Sequence, residues 1–441
     1  MYDRIKGFRD VYPAEMEAHR AVIDTVEAVA QQYGFREIAT PALERTEMYV
    51  DKSGEEIVDE LYAFTDKGDR SVALTPELTP TVARMVVAKG QELNKPIKWF
   101  STRPFWRYEQ VQQGRFREFY QTNVDIFGSA EPEADAEILA FAADALRELG
   151  LTAADFEFRV SHRDILERLL VYYEPDVDVA EGMRAVDKRD ALEYAAYIDA
   201  LEGAGFARDT ATAFDDTLTA ANANPELLIS ETGDEAVEEA VKELRAVLDA
   251  AARLGAENVC EVSLETARGL DYYTGVVFEC YDTTGDVSRA TFGGGRYDTL
   301  IESVGGQATP AVGVALGVMN STLPLLLQRA GVWPEEPRTL DYYILGVGDT
   351  DDEVATLVRS LRGKGNVVEM DLADRGFGDQ LTYADANGAE TVIIAGERDL
   401  ADGLVTVKDM ESGEQVQVPF EDVPGDRKQP QYEDFISETS D

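Results

Sequence analysis

The sequence predicts an α+β core that is interrupted by a helical insertion and followed by a small α/β domain. Three patterns predict this architecture. Residues 99–109 and 118–127 have strand character and flank a loop around Gly114, which predicts an antiparallel hairpin with an arginine-rich tip. Residues 166–255 contain few strand signals and several segments rich in Ala, Glu and Leu. Beyond residue 340, predicted strands and helices alternate, which is typical of a largely parallel sheet.

The core begins with a predicted helix over 14–33, which Gly34 ends, and a strand over 35–41 that ends at a proline. A short strand over 71–74 precedes a helix over 81–89, with a proline in its first turn. After the hairpin, residues 132–149 form one predicted helix. These elements place the core at residues 1–165 and 256–330, on either side of an insertion at 166–255.

The C-terminal part differs from the core in composition and in its pattern of predicted elements. A predicted linker at residues 331–340 is rich in proline and glutamate. The α/β domain follows at residues 341–425, and a polar, acidic tail at 426–441 is expected to fray. The predicted order within the domain is strand 342–347, helix 352–363, strand 367–370, helix 380–387 and strand 391–395.

The charge of the chain is its most unusual bulk property. It carries 86 acidic and 41 basic residues, a formal net charge of −45, with acidic residues in every segment. Repulsion on this scale opposes folding unless salt screens it, and the Debye length falls to about 3 Å at 1 M salt. We therefore predict a halophilic protein. The alternative, an ordinary acidic protein, predicts stable folding in dilute buffer. The charge alone disfavours a nucleic-acid partner. At molar salt, however, long-range repulsion is screened, and short-range contacts determine whether a nucleic acid binds.

Several protein classes are disfavoured. With 441 residues, 44% of them hydrophobic, the chain is neither disordered nor fibrous. Residues 1–6 contain no apolar signal core, so we expect a cytoplasmic location. The most apolar stretch, residues 309–327, contains two prolines, two glycines and an asparagine. It is therefore predicted as a buried strand and helix, not as a membrane span.

Cysteine and histidine usage disfavours metal and disulfide chemistry. Cys260 and Cys280 both lie in apolar strand contexts, which favours buried thiols over a disulfide or a metal site. Because His19 and His162 are the only histidines, a histidine-based metal centre is not expected.

Residues 255–275 carry the strongest functional signal. The pattern predicts a strand that delivers Arg268, Tyr272 and Tyr273 to a turn, followed by a second strand over 276–281. A guanidinium is a strong partner for phosphate, and tyrosine hydroxyls can hold a polar ring. This combination suggests a site for a phosphorylated substrate together with a small polar molecule.

Two further pairs could belong to the same site. Arg107 and Glu109 are two residues apart on a predicted strand and should face one side, where they could hold an anion and a base; an exposed ion pair explains them equally well. Glu77 and Thr79 can together accept the hydrogens of an ammonium group. Capping of the following helix is an equally good explanation for that pair.

The remaining candidates have weaker signals. Gln121 and Asp125 are four residues apart on the return strand and share a face, where they could bind a polar ring, although solvent-facing polarity is the default. Residues 291–298 place Gly295, the last of three glycines, beside Arg296, so that the backbone could approach a ligand closely. A tight hairpin turn is the usual explanation for such a run.

The order of these motifs resembles that of histidyl-tRNA synthetases, a family of class II aminoacyl-tRNA synthetases. The resemblance rests on residues 34–41 (Gly-Phe-Arg-Glu-Ile-Ala-Thr-Pro), the hairpin that carries Arg107, residues 268–273 (Arg-Gly-Leu-Asp-Tyr-Tyr) and residues 293–298 (Gly-Gly-Gly-Arg-Tyr-Asp). It extends into the C-terminal domain at residues 380–389, 396–397 and 405–409. It implies an α+β catalytic domain with a central antiparallel sheet flanked by helices, a helical insertion, and a C-terminal α/β anticodon-binding domain.

The resemblance also implies an activity. L-Histidine and ATP, with Mg²⁺, would form histidyl-adenylate, and the histidyl group would then pass to tRNA(His). Arg107 would hold the α-phosphate and the histidine carboxylate, and Arg268 would face the α-phosphate from the other side and stabilise the developing charge. Glu109 would help to seat adenine, while Arg115 and Arg117 are candidates for pyrophosphate or the tRNA acceptor end. The ATP-binding set is completed by Gly295 and Arg296.

The implied contacts to histidine divide between its ammonium group and its ring. Glu77 and Thr79 would accept the ammonium hydrogens, with Gln121 nearby. Two fixed groups, helped by a second phenol, would bond the ring nitrogens: Asp125, Tyr273 and Tyr272. The family further implies a homodimer whose interface includes residues 35–41, and no dedicated metal cage, since Mg²⁺ would arrive with ATP.

One position departs from the family pattern. Class II enzymes carry an arginine after a glycine-rich strand, where it stacks on adenine and touches the outer phosphates, but Asn320 occupies that place here. Losing a charge-assisted phosphate contact costs roughly 1.5 to 3 kcal/mol, and Arg117 and Arg296 are the candidates to replace it. This departure opens an alternative function: a catalytically silent histidine-binding paralogue that acts as a regulatory subunit.

Overall fold

A computed structural model describes residues 2–50, 59–90, 92–267, 272–285, 289–334 and 340–423. The chain divides into two units, Met1–Glu335 and Glu336–Asp441, and each has its own hydrophobic core. The boundary falls within the predicted linker, of which residues 335–339 lie outside the described residues, as does the predicted tail at 426–441.

The first unit contains eleven strands in the described residues. They are β1 (Arg36–Glu37), β2 (Leu43–Arg45), β3 (Ala63–Thr65), β4 (Ser71–Leu74), β5 (Ile97–Trp106), β6 (Glu118–Phe127), β7 (Phe156–His162), β8 (Cys260–Val262), β9 (Val276–Asp282), β10 (Phe292–Arg296) and β11 (Ala311–Met319). Its helices are α1 (Pro13–Gln32), α2 (Glu47–Val50), α3 (Thr79–Lys89), α4 (Pro132–Glu148), α5 (Arg163–Tyr173), α6 (Val179–Asp187), α7 (Tyr194–Gly203), α8 (Arg208–Ala223), α9 (Leu227–Thr232), α10 (Glu235–Arg253), α11 (Leu300–Ser303) and α12 (Thr322–Arg329).

An eight-stranded sheet organises this unit, in the order β1-β5-β6-β11-β10-β9-β7-β8. Neighbouring strands from β5 to β7 are antiparallel, and only the outermost pairs, β1 with β5 and β7 with β8, are parallel. A separate three-stranded sheet has the order β2-β4-β3. The predicted antiparallel core is therefore confirmed.

The predicted hairpin is present as β5 and β6, with Trp106 paired to Glu118 next to the connecting loop. The return strand was predicted at its observed bounds, but β5 ends three residues earlier than predicted. Beyond β5 the backbone forms a hydrogen bond with a different segment, since the Tyr108 N–H donates to the Glu60 carbonyl at 2.7 Å. The prediction that Arg107 and Glu109 lie on a strand is therefore wrong, but their side chains do face one side, 3.6 Å apart.

The two faces of the sheet bury different sets of residues, because side chains alternate along each strand. On β6, Val124 and Ile126 join the larger core, together with Val22 and Val26 of α1 and several residues of α4. Phe127, at the end of the same strand, joins a second cluster with α3 and the tyrosines at 272, 273 and 297. The second face is the one that bears the candidate site.

The predicted helical insertion is occupied by helices α6 to α10, which extend the larger core. The longest, α10, buries Val237, Val241, Leu244 and Val247 at helical spacing, so that one apolar face packs against α4 and α5. Its first turn is capped by Asp234, whose carboxylate accepts the Ala236 N–H at 2.8 Å.

The second unit is a five-stranded sheet in the order β13-β12-β14-β15-β16. Its strands are β12 (Leu340–Val347), β13 (Val368–Met370), β14 (Ala389–Gly396), β15 (Leu404–Asp409) and β16 (Gln415–Pro419), and its helices are α13 (Asp351–Gly363), α14 (Phe377–Ala386) and α15 (Glu397–Ala401). The three predicted strands are parallel, as expected. Two strands that were not predicted, β15 and β16, continue the sheet from β14 in antiparallel pairs.

Candidate active site

A cavity of 440 Å³ opens on the second face of the large sheet. This volume lies in the range of small-molecule sites, roughly 300–1,000 Å³. Most of the predicted site residues line it: Glu77, Thr79, Arg107, Glu109, Arg115, Gln121, Asp125, Tyr272 and Tyr273. These side chains come from the segment before α3, the hairpin tip, β6 and the segment before β9, so the fold brings together residues far apart in the sequence.

Two glycines on β11 pair with the predicted residues of β6, and one of them, Gly313, makes room for its partner. Gly313 pairs with Asp125 and Gly317 pairs with Gln121 across the sheet. A Cβ on Gly313 would lie 2.1 Å from Asp125 Oδ1 and 2.9 Å from the Val124 carbonyl oxygen. The absence of a side chain at Gly313 therefore lets a buried carboxylate stand in the cavity wall.

We expect Gly313→Ala to weaken histidine binding about tenfold or more, because relieving such an overpacked contact costs typically 1–3 kcal/mol. The new methyl group would displace the Asp125 carboxylate or bend β11. Isothermal titration with histidine in molar KCl measures the effect. Gly203→Ala on α7 is the matched control, since a Cβ there meets nothing within 4 Å. Equal histidine affinities in the two variants would contradict the prediction.

Two buried carboxylates at one end of the cavity are each held by a phenol. Tyr297 donates to Asp125 at 2.5 Å, and Tyr272 donates to Glu77 at 2.9 Å. The rings of Tyr272 and Tyr273 lie 5.0 Å apart. Glu77 and Asp125 are 4% and 3% exposed, so solvent-facing polarity does not explain them. Helix capping does not explain Glu77 either, since α3 has Leu78 at its N-cap and no side-chain cap.

Burial raises the pKa of Asp125 to about 7, and the hydrogen bond from Tyr297 opposes the shift. The carboxyl group is therefore near its titration midpoint at neutral pH, without a cation beside it in the described structure. An imidazole N–H is a partner that favours the ionised form. Burial likewise raises the pKa of Tyr272, as does the negative charge of Glu77, so this phenol remains a donor.

The raised pKa of Asp125 predicts a pH-dependent stability. The folded pKa lies above the unfolded value, so the protonated group contributes its full stability below about pH 4, and this is lost as pH rises towards 7. We expect the wild type to lose on the order of 2 kcal/mol relative to Asp125→Asn between about pH 5 and pH 8. Urea unfolding in molar KCl without histidine measures it, and parallel pH profiles for the two proteins would contradict it.

Arginines also line the cavity. Arg107 is fixed by donation from Nε to the Pro76 carbonyl at 3.0 Å and lies over the Phe119 ring at 5.6 Å. Glu109 lies between two guanidiniums, 3.6 Å from Arg107 and 2.8 Å from Arg115. Because the Glu109 side chain is only 10% exposed, this is not a surface ion pair.

The remaining predicted residues lie elsewhere or outside the described residues. Arg268 belongs to the latter group. Arg117 packs over the Tyr108 ring at 3.7 Å and donates to the Glu109 and Lys6 carbonyls, and it is not among the residues that line the cavity. A Cβ on Gly295 would lie 3.0 Å from Tyr273 Cδ1, so this glycine leaves room for a tyrosine.

Arg296 is buried and forms ion pairs within the protein. Its side chain is 3% exposed, and its guanidinium forms ion pairs with Asp135 and, at 3.1 Å, with Asp298. Burial raises the pKa of Asp135 to about 6, and the charge of Arg296 opposes that shift. Arg296 is therefore already paired where it joins β10 to α4, and it is not among the residues that line the cavity. The triple glycine lies within β10, so the alternative explanation as a tight turn is wrong.

Asn320 lies in the cavity wall with φ of 54°, a left-handed conformation that asparagine tolerates well. Its Oδ1 is 3.4 Å from Nη1 of Arg9. The cavity residues that were not predicted include Tyr297, Arg289 and Phe119. Tyr297 lies inside a motif that the sequence analysis identified, whereas no local pattern marks the other two.

The chain matches two family models. The model of histidyl-tRNA synthetase covers residues 7–320, and that of the anticodon binding domain covers residues 341–426. A protein named histidine–tRNA ligase from Natronomonas pharaonis is 64% identical over 435 residues, which are 99% of this chain and 100% of the relative. One of the same name from Halobacterium salinarum is 63% identical, with the same coverage. A crystal structure of histidyl-tRNA synthetase from Nostoc sp. PCC 7120 shares the fold, with a TM-score of 0.80 at 24% identity over 95% of this chain and 97% of the other.

These matches extend over both units and agree with the chemistry of the cavity. The chain belongs to the histidyl-tRNA synthetase family. The relatives come from halophilic archaea, in agreement with the net charge of −45. None of the helices in the described part of the chain has the length and hydrophobicity that crossing a bilayer requires.

Proposed function

We propose that this protein ligates L-histidine to tRNA(His) in two steps, with histidyl-adenylate as the intermediate. The observation that carries the proposal is one cavity lined both by two buried carboxylates that phenols hold and by several guanidiniums. The first set suits an amino acid with an imidazole ring, and the second suits a nucleotide polyphosphate. Full-length relatives named as histidine–tRNA ligases support the same reaction.

The histidine end selects its ligand by paired polar groups. Asp125, oriented by Tyr297, accepts a ring N–H, and Tyr273 meets the other ring nitrogen. Glu77, held by Tyr272, accepts hydrogens of the ammonium group together with Thr79. An apolar analogue would not supply the further hydrogen bonds that histidine makes to these buried groups, which is the strongest basis for discrimination between substrates.

The nucleotide end acts by electrostatics. Arg107 is placed to hold the histidine carboxylate against the α-phosphate, and Arg268 is proposed to act from the opposite side. Arg115 and Glu109 adjoin Arg107 and would contact the outer phosphates and adenine. Mg²⁺ would arrive with ATP, held mainly by the phosphates, whose charge it would neutralise. The second unit, matched by the anticodon-binding model, would bind the tRNA.

Histidine-dependent exchange of labelled pyrophosphate into ATP, measured in molar KCl, tests the proposal. The reaction reverses adenylate formation and requires both substrates in the cavity. Exchange that depends on histidine, followed by charging of tRNA(His), is the expected result. Histidine binding without exchange would contradict it and would favour a regulatory role. A homodimer and a cytoplasmic location remain predictions from the resemblance and the sequence.

A further inference from the structure

A third arginine faces the cavity beside Arg107 and Arg115. Arg289 lies three residues before β10 and is half-buried in the cavity wall. Its Nη1 is 3.4 Å from the Gln112 side-chain oxygen, and its Nη2 donates to the Gln113 carbonyl. These contacts hold the guanidinium against the loop that joins β5 and β6.

The electrostatic environment of Arg289 differs from that of its neighbours. Arg115 is paired directly with Glu109, whereas Arg289 in the described structure donates only to neutral oxygens. Burial lowers the pKa of Arg289, the positive charge of Arg115 lowers it further, and Glu109 opposes the shift. Two guanidiniums that repel each other at one cavity are stabilised when an anion binds between them.

The position of Arg289 relates it to the unusual asparagine. A Cβ on Gly114 would lie 3.3 Å from Arg289 Nη2 and 3.2 Å from Thr322 Cα. The guanidinium is therefore beside the first residue of α12, two residues after Asn320. Asn320, Thr322 and Arg289 all line the same cavity.

We propose that Arg289 binds the outer phosphates of ATP, and the pyrophosphate released from it, and so supplies the positive charge that Asn320 does not. The inference rests on the proposed function, because it takes the nucleotide polyphosphate as the ligand of this end of the cavity. The planar guanidinium fork suits two phosphate oxygens, and an approach from β10 leaves the backbone at Asn320 free to remain left-handed.

Arg9 is the competing candidate, since its Nη1 is 3.4 Å from Asn320 Oδ1. Its Nη2, however, is 2.5 Å from a carboxylate oxygen of Glu15, so its charge is neutralised within the protein. Arg9 is also not among the residues that line the cavity. The described contacts therefore favour Arg289.

Equilibrium binding of ATP and of AMP to Arg289→Met, in molar KCl and without histidine, tests the assignment. We expect ATP affinity to fall about 10- to 100-fold, the loss of one charge-assisted contact, with AMP and histidine affinities within about twofold of the wild type. The KM for pyrophosphate in the exchange reaction should rise in parallel. Arg289→Lys, which keeps the charge without the fork, should fall between the wild type and Arg289→Met.

Arg245→Met is the matched control, because this arginine pairs with Glu226 on the surface of the helical insertion. It removes the same charge and should leave both nucleotide affinities unchanged. Equal losses for ATP and AMP in Arg289→Met would overturn the inference, since they indicate a role in loop structure. An unchanged ATP affinity in Arg289→Met, together with a reduced ATP affinity in Arg9→Met, would also overturn it. Absence of exchange in the wild type would instead count against the proposed function.

Discussion

Arg107→Ala is expected to lower histidine-dependent pyrophosphate exchange by about 10²- to 10³-fold, as the removal of one fixed charge-stabilising group does in other enzymes. The Arg107 guanidinium is held by the Pro76 carbonyl and lies over the Phe119 ring, so it is oriented before a substrate binds. Such a group stabilises developing charge without reorganisation, and its loss falls mainly on the rate of the chemical step. Exchange rates at saturating ATP and histidine measure this effect.

Two companion variants separate chemistry from folding and from bulk charge. Arg107→Lys retains a positive charge but not the fork, and should recover only part of the activity. Arg245→Ala removes an exposed arginine of the helical insertion and should exchange like the wild type. Histidine titration and urea unfolding show whether Arg107→Ala is folded. Exchange within about threefold of the wild type would refute the role assigned to Arg107.

Elements with a strong local pattern were predictable from the sequence. The β6 strand was predicted at its observed bounds, and α13 within one residue of them, because their apolar periodicity and flanking turns lie within a short window. The end of β5 was not predictable. It is set by a contact between Tyr108 and Glu60, two residues far apart in sequence, and no local signal encodes such a contact.

The cavity shows the same division between local and long-range information. Residue type and spacing made Glu77, Arg107 and Asp125 candidates, and the resemblance supplied their roles, but their burial was not predictable from the sequence. The other features of the site are determined by which strands and helices pack against each other. Arg296 is neutralised by Asp135, and Gly313 stands opposite Asp125, and both facts depend on strand and helix packing between distant segments. The same packing brings Arg289 into the cavity.

The net charge of −45 predicts that the protein requires salt in order to fold. The Debye length is about 10 Å at 0.1 M salt and about 3 Å at 1 M, so acidic groups on one surface repel each other in dilute buffer and are screened at molar salt. Exposed ion pairs do not compensate, since pairs such as Arg208 with Asp199 contribute about 0–1 kcal/mol each. We expect the urea midpoint to rise steeply with KCl, and the protein to be largely unfolded in dilute buffer.

Urea is the suitable denaturant because it is uncharged and leaves the ionic strength unchanged, so that circular dichroism at a series of KCl concentrations reports screening directly. Sucrose is the control: it favours compact states by exclusion from the protein surface but screens no charge, so it should replace KCl only in part. A urea midpoint that is the same in dilute buffer and in molar KCl would contradict the prediction.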